Sequence, residues 1–458
     1  MELCLHLRKP ILGTVALLIL AACGVAHAST ATLLLEEPYG KLGFFTATGH
    51  AAVYLSGVCS DTPLVLRLCE PGETGVVISR YNGVGEYDWV AIPLIPYLYA
   101  VERPEDVPLF ADAKMVAFLR DRYRRTYLEE IAPERANGGT PGGNWYELIG
   151  TSYDRTVYGF EVATTLRQDE ALIRKLNSSP NRPHFRTVSK NCADFAKDII
   201  NFYYPKSLHR SVIADVGITT PKQIAKTMIR LGARHRETEF SRLVIAQVPG
   251  SMPRSAPVHG VVDAFFTSKK YIVPSAVVSP IFAGCVAAVY VGTGAARFEP
   301  ARNAMVFVVG GSPKPPIARE DQRAYRQELK HLLAGAYPEK SEPKVDRYWE
   351  RLQGKAQHGV DEEGRPVLQM QLGEDTVRIG ASADNVLVGS APPQLVRQLL
   401  EARLQSELRG KSPLGLTESE VARDWKLLQL ALQTNDRTSN LSSHSAVQRN
   451  DALRGNRP

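Results

Sequence analysis

The sequence has few cysteines, no basic run, no histidine cluster and only two long apolar stretches. Six cysteines in 458 residues are too few for a disulfide scaffold, so each is read by its position. The net charge of +7, from 55 Lys and Arg against 48 Asp and Glu, is mild and spread out. With no basic motif interleaved with aromatics, nucleic-acid binding is not expected. Two stretches long enough to cross a bilayer are too few for a multi-spanning transporter. The histidines and cysteines lack metal-ligand spacing, so no metal or other cofactor is expected. At 44% hydrophobic and 22% charged the chain has the balance of a folded globular protein, not of a disordered, collagenous or coiled-coil one.

The N-terminus reads as an export signal. Arg8 and Lys9 form a positive region, residues 11–22 an apolar one, and small residues follow. Two processing sites compete: Leu20-Ala21-Ala22-Cys23 has the form of a bacterial lipobox, and Ala26-His27-Ala28 that of an ordinary cleavage site. An uncleaved anchor is the third alternative. All three place the rest of the chain outside the cytoplasm, in the cell envelope.

After residues 1–28 the chain divides into an α+β domain over 29–245, a linker with an apolar segment over 246–296, a small α+β unit over 297–435, and a polar, disordered tail over 436–458. In the first domain, residues 47–55, 64–68, 76–81, 89–94 and 157–165 read as strands separated by turn residues. Residues 107–131 and 169–176 read as helices, one more opens at Asn191 or Cys192, and another at Thr219-Thr220-Pro221. Residues 271–296 carry no charge and are long enough for a transmembrane helix; Pro274 and Pro280 count against it, and the alternative is a pair of buried strands or a buried helix. In the last unit, 319–333 and 393–408 read as amphipathic helices flanking a meander over 367–372, 376–379 and 386–388.

The chemistry rests on one histidine and one cysteine. His50 begins an apolar strand, and Cys192 stands where a loop enters a helix. Free amides and the positive end of a helix dipole stabilise a thiolate, so this position predicts a lowered thiol pKa. An imidazole alongside can take the thiol proton and return it to a leaving group. Cys59 and Cys69, in the strand-rich region of an exported chain, are expected to form a disulfide. Cys285 lies in the apolar segment and reads as inert.

The phrase Gly49-His50-x-x-Val53-Tyr54-Leu55, followed far downstream by Asn191-Cys192-x-x-Phe195, resembles the circularly permuted papain-like superfamily. That group is related to NlpC-type cell-wall peptidases and includes the lecithin:retinol acyltransferase-like proteins. The resemblance covers about half the chain, residues 40–230. It implies an antiparallel sheet with helices, Cys192 as nucleophile and His50 as its base. A third polar residue would orient the imidazole, and Arg67, Ser79 and Asn82 are the candidates. Asn82 has the best chemistry, since its amide oxygen can accept an imidazole N–H. The expected function is a membrane-associated cysteine hydrolase or acyltransferase acting on a cell-wall peptide or a lipid. Its rival is an envelope binding or assembly module that keeps the fold without catalysis.

Overall fold

The computed structural model describes residues 29–40, 47–108, 110–182, 185–335, 356–372, 375–380 and 416–425. The leader with its lipobox at Cys23, the strand at 386–388, the helix at 393–408 and the tail at 436–458 lie outside the described residues.

The α+β class is what the chain adopts. Strands β1 (Ser29–Glu36) and β2 (His50–Leu55) pair antiparallel, with Glu36 opposite His50 and Ala31 opposite Leu55. β3 (Val58–Thr62) and β4 (Val65–Leu68) form a separate hairpin. β5 (Val76–Ser79) and β6 (Val90–Pro93) extend the main sheet beyond β2, while β7 (Val157–Thr164), β8 (Ser241–Ile245) and β9 (Met305–Val306) extend it beyond β1. The seven-stranded order is β6-β5-β2-β1-β7-β8-β9, and only the β8–β9 pair is parallel. Because β9 comes from beyond residue 296, the sheet runs past the boundary expected at 245.

Helices cover both faces. α1 (Leu94–Tyr99), α2 (Ala113–Tyr127) and the short α3 (Thr151–Asp154) lie on one side, with Leu34, Ala52 and Ile92 in their core. α4 (Leu166–Ser178), α5 (Cys192–Tyr203) and α6 (Pro221–Arg234) lie on the other, with Leu33, Leu35, Ala51 and Val53. A strand buried on both faces reads as a continuous apolar run, as Leu33-Leu34-Leu35 does. Burying each such leucine contributes about 1.5–3 kcal/mol. Helix α2 is shorter than the expected 107–131, because Asp112 Oδ1 caps it by accepting the Lys114 and Met115 amides at 2.8 and 2.9 Å.

The transmembrane expectation for residues 271–296 finds no support in the fold. The segment folds as α8 (Lys269–Val278) and α9 (Pro280–Gly292), preceded by α7 (Val261–Thr267). No helix among the described residues is long and apolar enough to cross a membrane. The cause is local: Pro280 has no amide hydrogen and forces Ser279 out of the helical region, to φ −146° and ψ 89°. The alternative of buried strands or a buried helix is not what forms, since neither α8 nor α9 has a buried residue.

Further on, α10 (Arg319–Gly335) matches the expected helix. β10 (Ala356–Val360), β11 (Pro366–Leu372) and β12 (Asp375–Gly380) form a three-stranded antiparallel sheet. Leu368 of β11 joins the core around α2, so this small sheet packs on the main body. The Cys59–Cys69 disulfide is formed and ties β3 to the residue after β4.

Candidate active site

His50 is held by two features of its strand. Gly49 has φ +71°, and a Cβ at that position would overlap the Glu36 carbonyl oxygen, so the chain can turn into β2 this close to β1 only with glycine. From there β2 runs buried through the sheet, which fixes its register.

Cys192 is the first residue of α5, and the Asn191 before it explains why that helix starts where it does. Asn191 Oδ1 accepts the Asp194 amide at 2.9 Å, and Asp194 reaches back to the Asn191 amide at 3.4 Å, a reciprocal cap. Asn191 Nδ2 also donates to the Thr187 and Thr219 carbonyls, each at 3.0 Å. Thr219 Oγ1 in turn donates to Asp194 Oδ1 at 2.5 Å. The cysteine is thus held from three segments of chain.

His50, Cys192 and Asn82 line one cleft of about 330 Å³. Helix α5 lies across β2, and the amides of Ala51, next to His50, and of Ala193 and Cys192 itself are near enough to favour a thiolate. The thiol pKa nevertheless differs from the expected direction. Burial pushes it up to about 11, because a thiolate here would lose its water, and the nearby Glu36 charge adds to the rise. The three amides pull the other way without winning.

The imidazole is also neutral. Burial, and then the Arg155 charge, hold His50 well below the ordinary 6.5. Its ring stacks on Tyr81, with centroids 4.2 Å apart and planes 12° from parallel. His50 is only 8% exposed, and its Nε2 has no hydrogen-bond partner among the described residues. A resting pair of neutral thiol and neutral imidazole follows, not an ion pair.

Of the three candidates for the orienting residue, Asn82 lines the cleft, but no hydrogen bond joins it to the imidazole among the described residues. Ser79 is buried in β5, and Arg67 pairs with Asp61 and Glu73, each at 2.6 Å, on the β3–β4 hairpin. What surrounds His50 is a network that sequence reasoning missed. Tyr81 OH meets Tyr97 OH at 3.3 Å, Tyr97 donates to Glu36, and Glu36 Oε2 binds Arg155 Nη1 at 3.0 Å. Burial raises the Glu36 carboxyl against the pull of Arg155 and Tyr97. The signal for Glu36 was present as a carboxylate ending a run of three leucines. Arg155, 119 residues further on, gave none.

Comparison with family models, curated proteins and solved structures finds no match, so the site is read from its own residues.

Proposed function

We propose that the protein is an exported cysteine hydrolase or acyltransferase of the permuted papain-like kind, with Cys192 as nucleophile and His50 as base. The observation that carries this reading is that His50 and Cys192 line one cleft, with the helix that Cys192 opens packed on the strand that His50 opens. When an amide or ester carbonyl enters, His50 takes the thiol proton as the sulfur attacks the carbonyl carbon. The oxyanion is received by the amides that converge on the sulfur. On collapse, His50 returns the proton to the departing amine or alcohol, leaving a thioester on Cys192. Water, or an acceptor hydroxyl or amine, then attacks the thioester and gives His50 its proton, and the thiol is restored.

A neutral resting pair suits this sequence, because the base must be unprotonated before substrate arrives. Tyr81 does by stacking what an amide would do by hydrogen bonding: it holds the ring plane. Asn82 remains the candidate third residue through its place on the cleft wall. The substrate is a cell-wall peptide or a lipid ester or amide of the envelope.

The raised thiol favours a second reading, in which the cleft binds a ligand without cleaving it. Hydrolysis assays on muropeptides and on lipid esters separate the two, run beside melting curves. Cys192→Ser is expected to abolish turnover with the melting temperature kept, and His50→Ala to abolish it with the chain still folded, at a lower melting temperature because a buried, stacked ring is lost. No turnover in the parent chain, with ligand binding retained in Cys192→Ser, would hand the cleft to the binding reading.

A further inference from the structure

We infer that the α8–α9 hairpin inserts into one leaflet of an anionic lipid bilayer, beside the Cys192 cleft and without spanning the membrane. This goes beyond the catalytic reading and does not depend on it.

From residue 271 to 296 there is no charged side chain, and no residue of α8 or α9 is buried. At the turn between them Val277, Val278 and Ile281 are 79%, 84% and 82% exposed, with Phe282 beside them. A contiguous apolar surface of this kind marks an interaction site. Its form selects lipid over protein. A helix that docks on a protein carries one apolar stripe and a polar back, whereas α9 is apolar all round, which suits a solvent that is itself apolar on every side.

Part of the backbone at the joint is met internally, as hydrocarbon favours. At the joint, the Ser279 amide donates to the Ser275 carbonyl, Pro280 has no amide hydrogen, and the Ala283 amide returns to the Ser279 carbonyl. Ser279 Oγ takes the Phe282 amide at 3.4 Å. The Ser275 and Thr293 hydroxyls each donate to a carbonyl one turn back, both at 2.8 Å.

Length and charge set the depth. At about 1.5 Å per residue, the ten residues of α8 and thirteen of α9 extend about 15–20 Å, close to half of a hydrocarbon core about 30 Å thick. The helices fold back on one another and against α7. At their base stand the exposed Lys269, Lys270 and Arg297, placed to meet anionic headgroups. Tyr271 and Tyr290 stack on Phe265 and Phe266 of α7, and Phe282 also packs edge-on against Phe265. The hairpin is tied to the body by Lys226 Nζ on the Thr293 carbonyl at 2.9 Å and Lys222 Nζ on that of Ala295 at 3.2 Å. Val261, which opens α7, lines the cleft, so insertion brings the cleft mouth to the membrane surface.

The test uses the full chain carrying Phe282→Trp and vesicles of phosphatidylethanolamine and phosphatidylglycerol with bromine on the acyl chains. The N-terminal apolar run can bind vesicles by itself, so the readout is the added tryptophan's own emission, taken as the difference from the parent chain. Insertion predicts a blue shift and loss of most of that emission, and Val277→Asp with Ile281→Asp in the same chain is expected to abolish both. Those two positions are exposed, so the double variant keeps the parent melting temperature. An added tryptophan that stays unquenched on vesicle-bound protein would overturn the inference. So would one that blue-shifts without lipid because the chain self-associates through this surface.

Discussion

Replacing Asn191 with alanine tests whether the placement of Cys192 has been understood. The side chain makes three contacts: it accepts the Asp194 amide and donates to the Thr187 and Thr219 carbonyls. Loss of the helix cap costs about 1 kcal/mol. Each lost donor to a carbonyl that stays shielded costs a further ~0.5–1.5 kcal/mol. The sum is about 2–4 kcal/mol, a large share of an ordinary domain stability of about 5–15 kcal/mol. Asn191→Asp is the informative partner. It keeps the accepting oxygen and adds a negative charge at a helix N-terminus, favourable by about 0.3–1 kcal/mol. It also turns a carboxylate oxygen toward two carbonyls that need a donor. Aspartate is therefore expected to be no better than alanine, although a capping role alone would make it harmless. Urea unfolding, read as the change in midpoint at constant slope, measures both. An alanine variant within about 0.5 kcal/mol of the parent, or an aspartate variant equal to it, would refute the three-segment account.

Three further outcomes are expected. Cys59→Ser lowers stability by about 3 kcal/mol, the loop-closure value for cysteines ten residues apart, while turnover per folded molecule is retained; melting and activity curves taken together check this. Alkylation of Cys192 by iodoacetamide, followed at that peptide by mass spectrometry so that the exposed Cys285 does not interfere, rises about tenfold per pH unit from neutrality toward about 11, and a plateau near neutral pH would show an ion pair instead. His50 binds a proton less readily folded than unfolded, so its contribution to stability is complete above about 6.5 and is lost as pH falls below that value; His50→Gln is expected to flatten this part of the melting-temperature profile.

The locally written parts of the site are legible in the order of the residues alone. A capping residue followed by Cys192 marks a helix start, and α5 begins there. Glycine before an apolar strand places His50, and two cysteines ten residues apart in a strand-rich segment pair as expected. What is illegible depends on burial or on distant partners. β1 carries leucines toward both faces, so it lacks the alternation that marks a half-buried strand. α1, from Leu94 to Tyr99, is wholly buried and continues an apolar run, which hides the change from strand to helix. The Glu36–Arg155 pair joins β1 to the turn before β7 and exists only in the folded sheet. The thiol argument fails for the same reason: a helix N-terminus is a local feature, but the desolvation that outweighs it is set by everything packed around Cys192. For residues 271–296, composition alone suggests a span, while Pro280, visible in the same sequence, is the better guide to the break.

The most direct test of the central claim is the mass of the protein itself after brief exposure to an activated ester or thioester substrate and an acid quench. The account predicts a hydroxylamine-sensitive acyl adduct on Cys192, absent in Cys192→Ser and strongly slowed in His50→Ala. An unmodified Cys192 during substrate turnover, or an adduct that forms at the same rate without His50, would contradict it.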